Sequence, residues 1–451
     1  MATHGSEPKA DPLEMFRKQP VSADKTASAP PPDDPHRPPK PDTLEEAGIS
    51  DALLESLVFK YLLAVGSSTG RAMTKELGLP GRPTLELLSA LKSQQMVYYR
   101  DTAAMGDFKY MLTEAGRDRA KRYFEECTYV GPCPVPLAHY IELVERQTVA
   151  TEHPDSSRLE YAFRDLLISR AMLDKLGPAI NSGRGLFLYG YPGNGKTSIA
   201  ERITASFGTH IWIPYAIFVD GEIIKFYDPE CHQALEDDTP IVTMSDRYDL
   251  RWIRIKRPTV VAGGELTMEA LELQYNTFSK ITEPSLQLKS NGGTLVIDDF
   301  GRQRMRPDEL LNRWIVPLEK RVDFLTLANG KKIQVPFDQL IIFSTNLEPR
   351  DLVDEAFLRR IPYKINVPDP SEEAFRKLMI MVSEGLGVAH NEDAVNYLID
   401  THYRKTERPF RCCHPRDLLL QIVNRATYVR DEPRMTPEAF DRAVDNYFAV
   451  F

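Results

Sequence analysis

The chain changes texture several times along its length. After the capping box Thr43-x-x-Glu46, residues Leu53, Leu54, Leu57, Val58, Tyr61, Leu62 and Val65 fall on one helical face and predict a helix. A second short helix is expected over 70–77, ended by Gly78, and a third opens at Pro83-Thr84 with Leu85, Leu88 and Leu91 inward. Two strands follow, 97–100 and 108–112; in the second, Phe108, Tyr110 and Leu112 alternate with Lys109 and Met111, as a half-buried hairpin requires. Another helix starts within Leu112-Thr113-Glu114-Ala115-Gly116-Arg117. Further on the pattern becomes continuously apolar in short runs, 185–189, 294–297 and 340–343, which is the signature of parallel strands buried on both faces. Between the first two runs, Ile199, Ala200, Ile203 and Phe207 mark a helix after Thr197. Two hairpins are expected, 211–226 turning at Asp220-Gly221 and 324–335 turning at Asn329-Gly330. The C-terminal part reads as helices near 371–383, 391–402, 415–428 and 437–449, the last with Thr436 as N-cap and Pro437 at its first position.

Composition narrows the class. A chain of 451 residues with a net charge of −9 is long enough for several domains and argues against a surface devoted mainly to nucleic acid. Residues 1–42, with Pro30-Pro31-Pro32 and Pro38-Pro39, bury too little apolar surface to offset backbone entropy and are expected to form a disordered arm. Five cysteines form no regular ladder, so a reducing cytoplasm is the expected compartment. No apolar run approaches the ~20 residues needed to span a bilayer, so no membrane insertion is expected. Cys412-Cys413-His414 is expected to hold no metal, because adjacent cysteines do not readily face one ion.

The candidate chemistry is concentrated at the ends of the apolar runs. Gly190-Tyr191-Pro192-Gly193-Asn194-Gly195-Lys196-Thr197-Ser198 has the spacing G-x-x-x-x-G-K-[ST] between a strand and a helix. Its glycines let backbone N–H groups converge on phosphate oxygens, and the helix start favours anions. The run Leu295-Val296-Ile297 ends in Asp298-Asp299, the first carboxylate suited to holding Mg²⁺ with Thr197 and the second to orienting or deprotonating an attacking water. The third run ends at Asn346, which can touch the γ-phosphate or that water. Strand ends gathered at one sheet edge are where α/β folds bind ligands.

These motifs resemble those of AAA+ ATPases, in family order over about 160–451. The glycine loop matches Walker A, Leu295 to Asp299 Walker B, and Asn346 the sensor-1 position. Arg359 and Arg360 resemble the arginine finger that reaches a neighbouring subunit's nucleotide, against the plainer alternative of an ion pair with Asp354 or Glu355. Arg416, in His414-Pro415-Arg416-Asp417, matches the sensor-2 arginine, the alternative being a helix-start pair with Asp417. Walker B usually ends Asp-Glu, and the shorter Asp299 implies slower hydrolysis without stimulation. The hairpin before Asn346 and the approach Ser290-Asn291-Gly292-Gly293 resemble the pre-sensor-1 hairpin clade and MoxR proteins. The Gly-Ala-Phe-Thr-Gly-Ala signature of enhancer-binding relatives is absent. The segment 43–127 is similar to winged-helix domains of bacterial transcription regulators.

The resemblance implies an α/β AAA+ P-loop core, a parallel sheet between helices, with a C-terminal helical lid and an N-terminal winged-helix domain. The expected division is a disordered arm 1–42, a winged-helix-like domain 43–127, a linker 128–157, a core 158–370 and a lid 371–451. It implies ATP and Mg²⁺ as cofactors, a homo-oligomer, a hexamer, and a protein partner to be remodelled. DNA is the alternative partner. The third helix bears only Glu86 and Lys92 as charges before Gln94, which favours docking to protein, and the basic run Arg117, Arg119, Lys121 and Arg122 is diluted by acids. The loop Gly301-Arg302-Gln303-Arg304-Met305-Arg306 either faces a central channel or is solvated structure.

Overall fold

The computed structural model describes residues 34–103, 106–235, 248–352 and 355–448. They form two compact units, 34–190 with 196–366, and 191–195 with 367–448.

The first unit is built on five parallel strands, β1 (Leu186–Tyr189), β2 (Thr259–Ala262), β3 (Thr294–Ile297), β4 (Leu340–Thr345) and β5 (Tyr363–Asn366), in the order β2-β3-β4-β1-β5. All of β3 and β4 is buried, as the unbroken apolar runs require. Phe187, Phe300 and Phe343 pack with ring centroids 4.9–5.9 Å apart and knit the middle of the sheet. The register sets Ile297 beside Phe343 and Thr345 beside Tyr189, so that the residues following β1, β3 and β4 emerge at one edge. The helix α1 (Lys196–Ala205) packs against β3 and β4. This is a mixed α/β fold with a parallel sheet. Strand β1 lies between β4 and β5 while the chain leaving it next enters the sheet at β2, the far edge. Such a change of direction opens a crevice at the carboxyl end of the strand.

The long interval between β1 and β3 is occupied by a second sheet. Ala216–Val219 and Glu222–Lys225 form the expected hairpin, its turn residues Asp220 and Gly221 both at positive φ (48° and 86°). Ile211–Pro214, read as part of that hairpin, instead pairs with Trp252–Ile255. Val322–Thr326 and Lys332–Pro336 form the second hairpin. The segment 128–157 is more than a connection: Val135–Pro136 adds a strand beside Ala216–Val219, and the helix Leu137–Arg146 buries Tyr140, Leu143 and Val144.

Toward the N-terminus, the helices Asp51–Val65, Gly70–Leu77, Gly81–Ser93 and Glu114–Glu126 accompany a three-stranded antiparallel sheet of Ser67–Thr69, Phe108–Leu112 and Val97–Thr102. Thr43 Oγ1 accepts from Glu46 N (3.1 Å) but caps a single turn, Leu44–Ala47, and the Glu46 carboxylate accepts from Asp42 N (2.8 Å) rather than from Thr43; the long helix is capped by Ser50 instead. The third helix begins two residues before Pro83 and so gains Arg82, which pairs with Glu86 at 2.9 Å.

The arm expected to be disordered keeps only its first 33 residues outside the described structure. Asp34 accepts hydrogen bonds from Trp212 Nε1 (2.8 Å) and the backbone of His36 (3.0 Å), and Pro38 accepts one from Asp249 N (3.1 Å). Composition missed this because a few specific bonds anchor the segment. Nearby, the fully buried Arg251 clasps Asp249 at 2.7 Å and donates to the carbonyl of Ala47 at 2.7 Å. Truncating it strands a buried carboxylate, so Arg251→Ala is expected to cost about 3–5 kcal/mol, read as a lowered denaturation midpoint.

In the second unit, helices Glu372–Gly385, Glu392–Leu398, His414–Val429 and Pro437–Tyr447 pack around Phe375, Leu398, Leu418 and Phe440. Thr436 caps the last of them as the pattern predicts, Ser371 and Asn391 cap two others, and the second widens into a π-helical turn over Ile399–Arg404. Ala449, the expected end of the last helix, lies outside the described residues.

Candidate functional site

The site begins where β1 ends. Lys196, at the start of α1, is buried, and its Nζ donates to the carbonyl of Gly190 (3.0 Å) and to Asn346 Oδ1 (2.7 Å), just past β4. One residue on, Thr197 Oγ1 donates to Asp298 Oδ2 at 2.9 Å. Asn346 Nδ2 donates to Asp299 Oδ1 at 3.1 Å, and the amide of Asp299 donates to Asp298 Oδ1 at 3.0 Å. Lys196, Thr197, Asp298, Asp299 and Asn346 therefore form one hydrogen-bonded cluster joining the ends of three strands. Ser198 is half-buried in the first turn of α1.

Asp299 sits at φ +49°, a conformation that costs an L residue roughly 1–2 kcal/mol and that Asp tolerates better than most. Its neighbours hold it there. Phe300 N donates to Ser344 O, Thr345 Oγ1 to Phe300 O, and Gln303 Nε2 to the carbonyl of Asp298 at 2.9 Å.

The tip of the glycine loop belongs to the second compact unit, where Asp369 and residues 411–413 brace it. Asn194 donates to Asp369 at 2.7 Å and accepts from Cys412 N at 3.3 Å; Gly193 O accepts from Cys413 N at 2.9 Å. Arg411 pairs with Asp369 and lies 4.3 Å over the ring of the exposed Tyr191. Gly193, at φ +81°, has no room for a side chain, since a Cβ would stand 2.4 Å from Cys413 Sγ. Gly195 has φ +79°, and Pro192 is exposed. Sequence reading missed Asp369, Arg411 and Gln303. Nothing in their local pattern marks them, because each acts on a residue distant in sequence or on a backbone atom.

The arginines differ from one another. Arg359 is exposed and makes no side-chain ion pair with another described residue; Arg360 Nε pairs with Glu319 at 2.7 Å. Of Asp354 and Glu355, the two alternative partners for these arginines, Asp354 lies outside the described residues. Arg416 is half-exposed and pairs with Asp417 at 3.0 Å.

At Cys412-Cys413-His414, burial pushes the Cys412 thiol up to about 11 and raises that of Cys413, so both stay protonated at neutral pH. Burial, with the charge of Arg411, pushes His414 down to about 4, and its Nδ1 lies 2.9 Å from the Tyr403 hydroxyl. A histidine held neutral by the fold contributes stability above its ordinary value of 6.5 and loses it as pH falls toward 4. The thermal midpoint of the protein is therefore expected to drop across that window, and to drop less in a His414→Asn variant.

Thr197 and Asp298 supply hard oxygen donors 2.9 Å apart, which fits Mg²⁺, a cation that keeps several waters and takes few protein ligands. Among the described residues no helix is long and apolar enough to cross a membrane.

A family model described as a domain of unknown function (DUF8689) matches residues 371–446. No curated protein matches the chain. Among solved structures, NtrX from Brucella abortus in complex with ADP is 17% identical, with 63% of this chain covered, 56% of that one, and a TM-score of 0.38. The Thermotoga maritima RuvB Holliday junction branch migration motor is 13% identical, with 64% of this chain and 73% of that one covered and a TM-score of 0.36. This chain thus spans little more than half of the NtrX chain.

Proposed function

We propose that this protein is an AAA+ ATPase that binds ATP with Mg²⁺ and hydrolyses it. The observation that carries the reading is the cluster itself: a P-loop lysine 2.7 Å from Asn346, Asn346 3.1 Å from Asp299, and Thr197 2.9 Å from Asp298. In this reading Lys196 and the loop Gly190 to Ser198 take the phosphates. Thr197 and Asp298 would hold the metal, which would supply neutralising charge to the phosphate oxygens. Asp299 accepts the proton of the attacking water, and Asn346 fixes its carboxylate. Steady-state phosphate release with ATP and Mg²⁺ tests this directly, and a protein that neither binds nor turns over ATP would remove it.

Arg359 and Arg360 are assigned to the nucleotide of a neighbouring protomer in a homo-oligomer, a hexamer. A guanidinium there stabilises charge on the transferred phosphoryl group and makes turnover depend on assembly. The double variant Arg359→Ala/Arg360→Ala is expected to lose turnover by about 10³-fold while still binding ATP. Turnover at the parental rate would end the assembly argument. Arg416 is assigned to the sensor-2 role.

The work coupled to hydrolysis is remodelling or maturation of a protein partner, in the manner of MoxR-like proteins, with the helical module 43–127 as the docking element. DNA binding by that module as a winged helix is the second reading, favoured by its helices and three-stranded sheet. The pairing of Arg82 with Glu86 weighs against it, since it occupies the one arginine on the third helix. DNA retention that weakens steeply with salt would reverse that preference.

A further inference from the structure

The carboxylates at the end of β3 are steadied from an unexpected direction. After Asp299 the chain turns through Gly301 into the loop 301–306, whose Arg302 and Arg304 are exposed and form no side-chain hydrogen bond or ion pair with another described residue. Gln303, between them, turns the other way. Its Oε1 accepts from Gly301 N at 2.8 Å while its Nε2 donates to the carbonyl of Asp298 at 2.9 Å. That carbonyl belongs to the peptide joining Asp298 to Asp299, the peptide that must hold its orientation for Asp299 to stay at φ +49°. The loop is itself pinned: Arg302 N donates to Asp299 O at 2.9 Å, Arg304 N to Gly264 O at 3.2 Å, and Met305 is buried.

We propose that Gln303 is a positioning residue for the reaction, a strut that fixes the Asp298–Asp299 peptide and with it the aim of both carboxylates. The role rests on the ATPase reading of the site and adds to it a residue that touches neither nucleotide nor metal. The two hydrogen bonds use both ends of the glutamine amide, so neither a carboxylate nor a thioether of the same length can replace it: an ionised Gln303→Glu cannot donate to the carbonyl, and Gln303→Met cannot donate and accepts only weakly.

The test uses the full chain and four proteins: parental, Gln303→Glu, Gln303→Met, and the double variant Arg302→Ala/Arg304→Ala from the same loop. Three quantities are read: kcat for ATP, the affinity for a fluorescent adenine nucleotide without metal, and the Mg²⁺ concentration at half-maximal tightening of that nucleotide. Both Gln303 variants are expected to lose kcat and to need more Mg²⁺ by about 10- to 100-fold, the scale for residues that orient a ligand from behind. Their metal-free affinity and thermal midpoint should stay at parental values, and the arginine variant should keep parental basal kcat. Gln303 variants equal to the parent in kcat and Mg²⁺ midpoint would overturn the strut while leaving the ATPase reading intact. An arginine variant as impaired as Gln303→Met would overturn it too, by pointing to loop integrity rather than one side chain. A parental protein indifferent to ATP would overturn both.

Discussion

Lys196→Ala is expected to abolish ATP binding in calorimetric titration and turnover with it. The ammonium group is buried and held between the Gly190 carbonyl and Asn346 Oδ1, so it is already aimed where β1 ends, with little rotamer freedom left to lose. Hydrogen bonds from a charged donor are worth about 1.5–3 kcal/mol each. Losing two to a triphosphate weakens binding on the order of 10²- to 10⁴-fold. The substitution also leaves Asn346 Oδ1 without its lysine donor, which loosens the contact that Asn346 makes to Asp299. Binding retained within about threefold, a difference of only ~0.7 kcal/mol, would mean that the glycine loop is not a phosphate site.

The second large effect is expected at Asp299. Asp299→Asn is nearly isosteric, and Asn tolerates the left-handed conformation as readily as Asp, so the fold and the φ of +49° should survive. What is lost is the ability to take a proton. Turnover is expected to fall by about 10²- to 10⁴-fold in single-turnover assays, with ATP affinity unchanged. A variant that hydrolyses at the parental rate would move the base elsewhere. The same variant, if it holds ATP without consuming it, is a suitable bait with which to test the proposed protein partner.

Much of the core was legible because its signals are local. The runs that became β1, β3 and β4 are continuous apolar stretches, each ending in a residue whose chemistry is visible in the letters: Gly190, Asp298 and Asn346. Asp220-Gly221 announced its hairpin for the same reason, since both residues accept positive φ. β2 and β5 went unread. Thr259–Ala262 and Tyr363–Asn366 are as long as β1 and β3, but their burial is mixed, so the unbroken apolar run that marks a strand buried on both faces is missing. The end of the arm was misread because composition averages over residues, whereas Asp34 is fixed by individual bonds to Trp212 and His36.

By itself, then, the sequence determined which residues form strands of the central sheet's middle, where the glycine loop and carboxylates fall along them, and which helices follow; backbone propensity and apolar periodicity are properties of neighbours in the chain. Tertiary structure alone decided that the sheet runs β2-β3-β4-β1-β5, that Lys196 meets Asn346 and Thr197 meets Asp298, and that Gln303 reaches back to the Asp298 carbonyl. Strand order is set by how buried faces pack, and a hydrogen bond between distant residues leaves no periodicity in the letters between them.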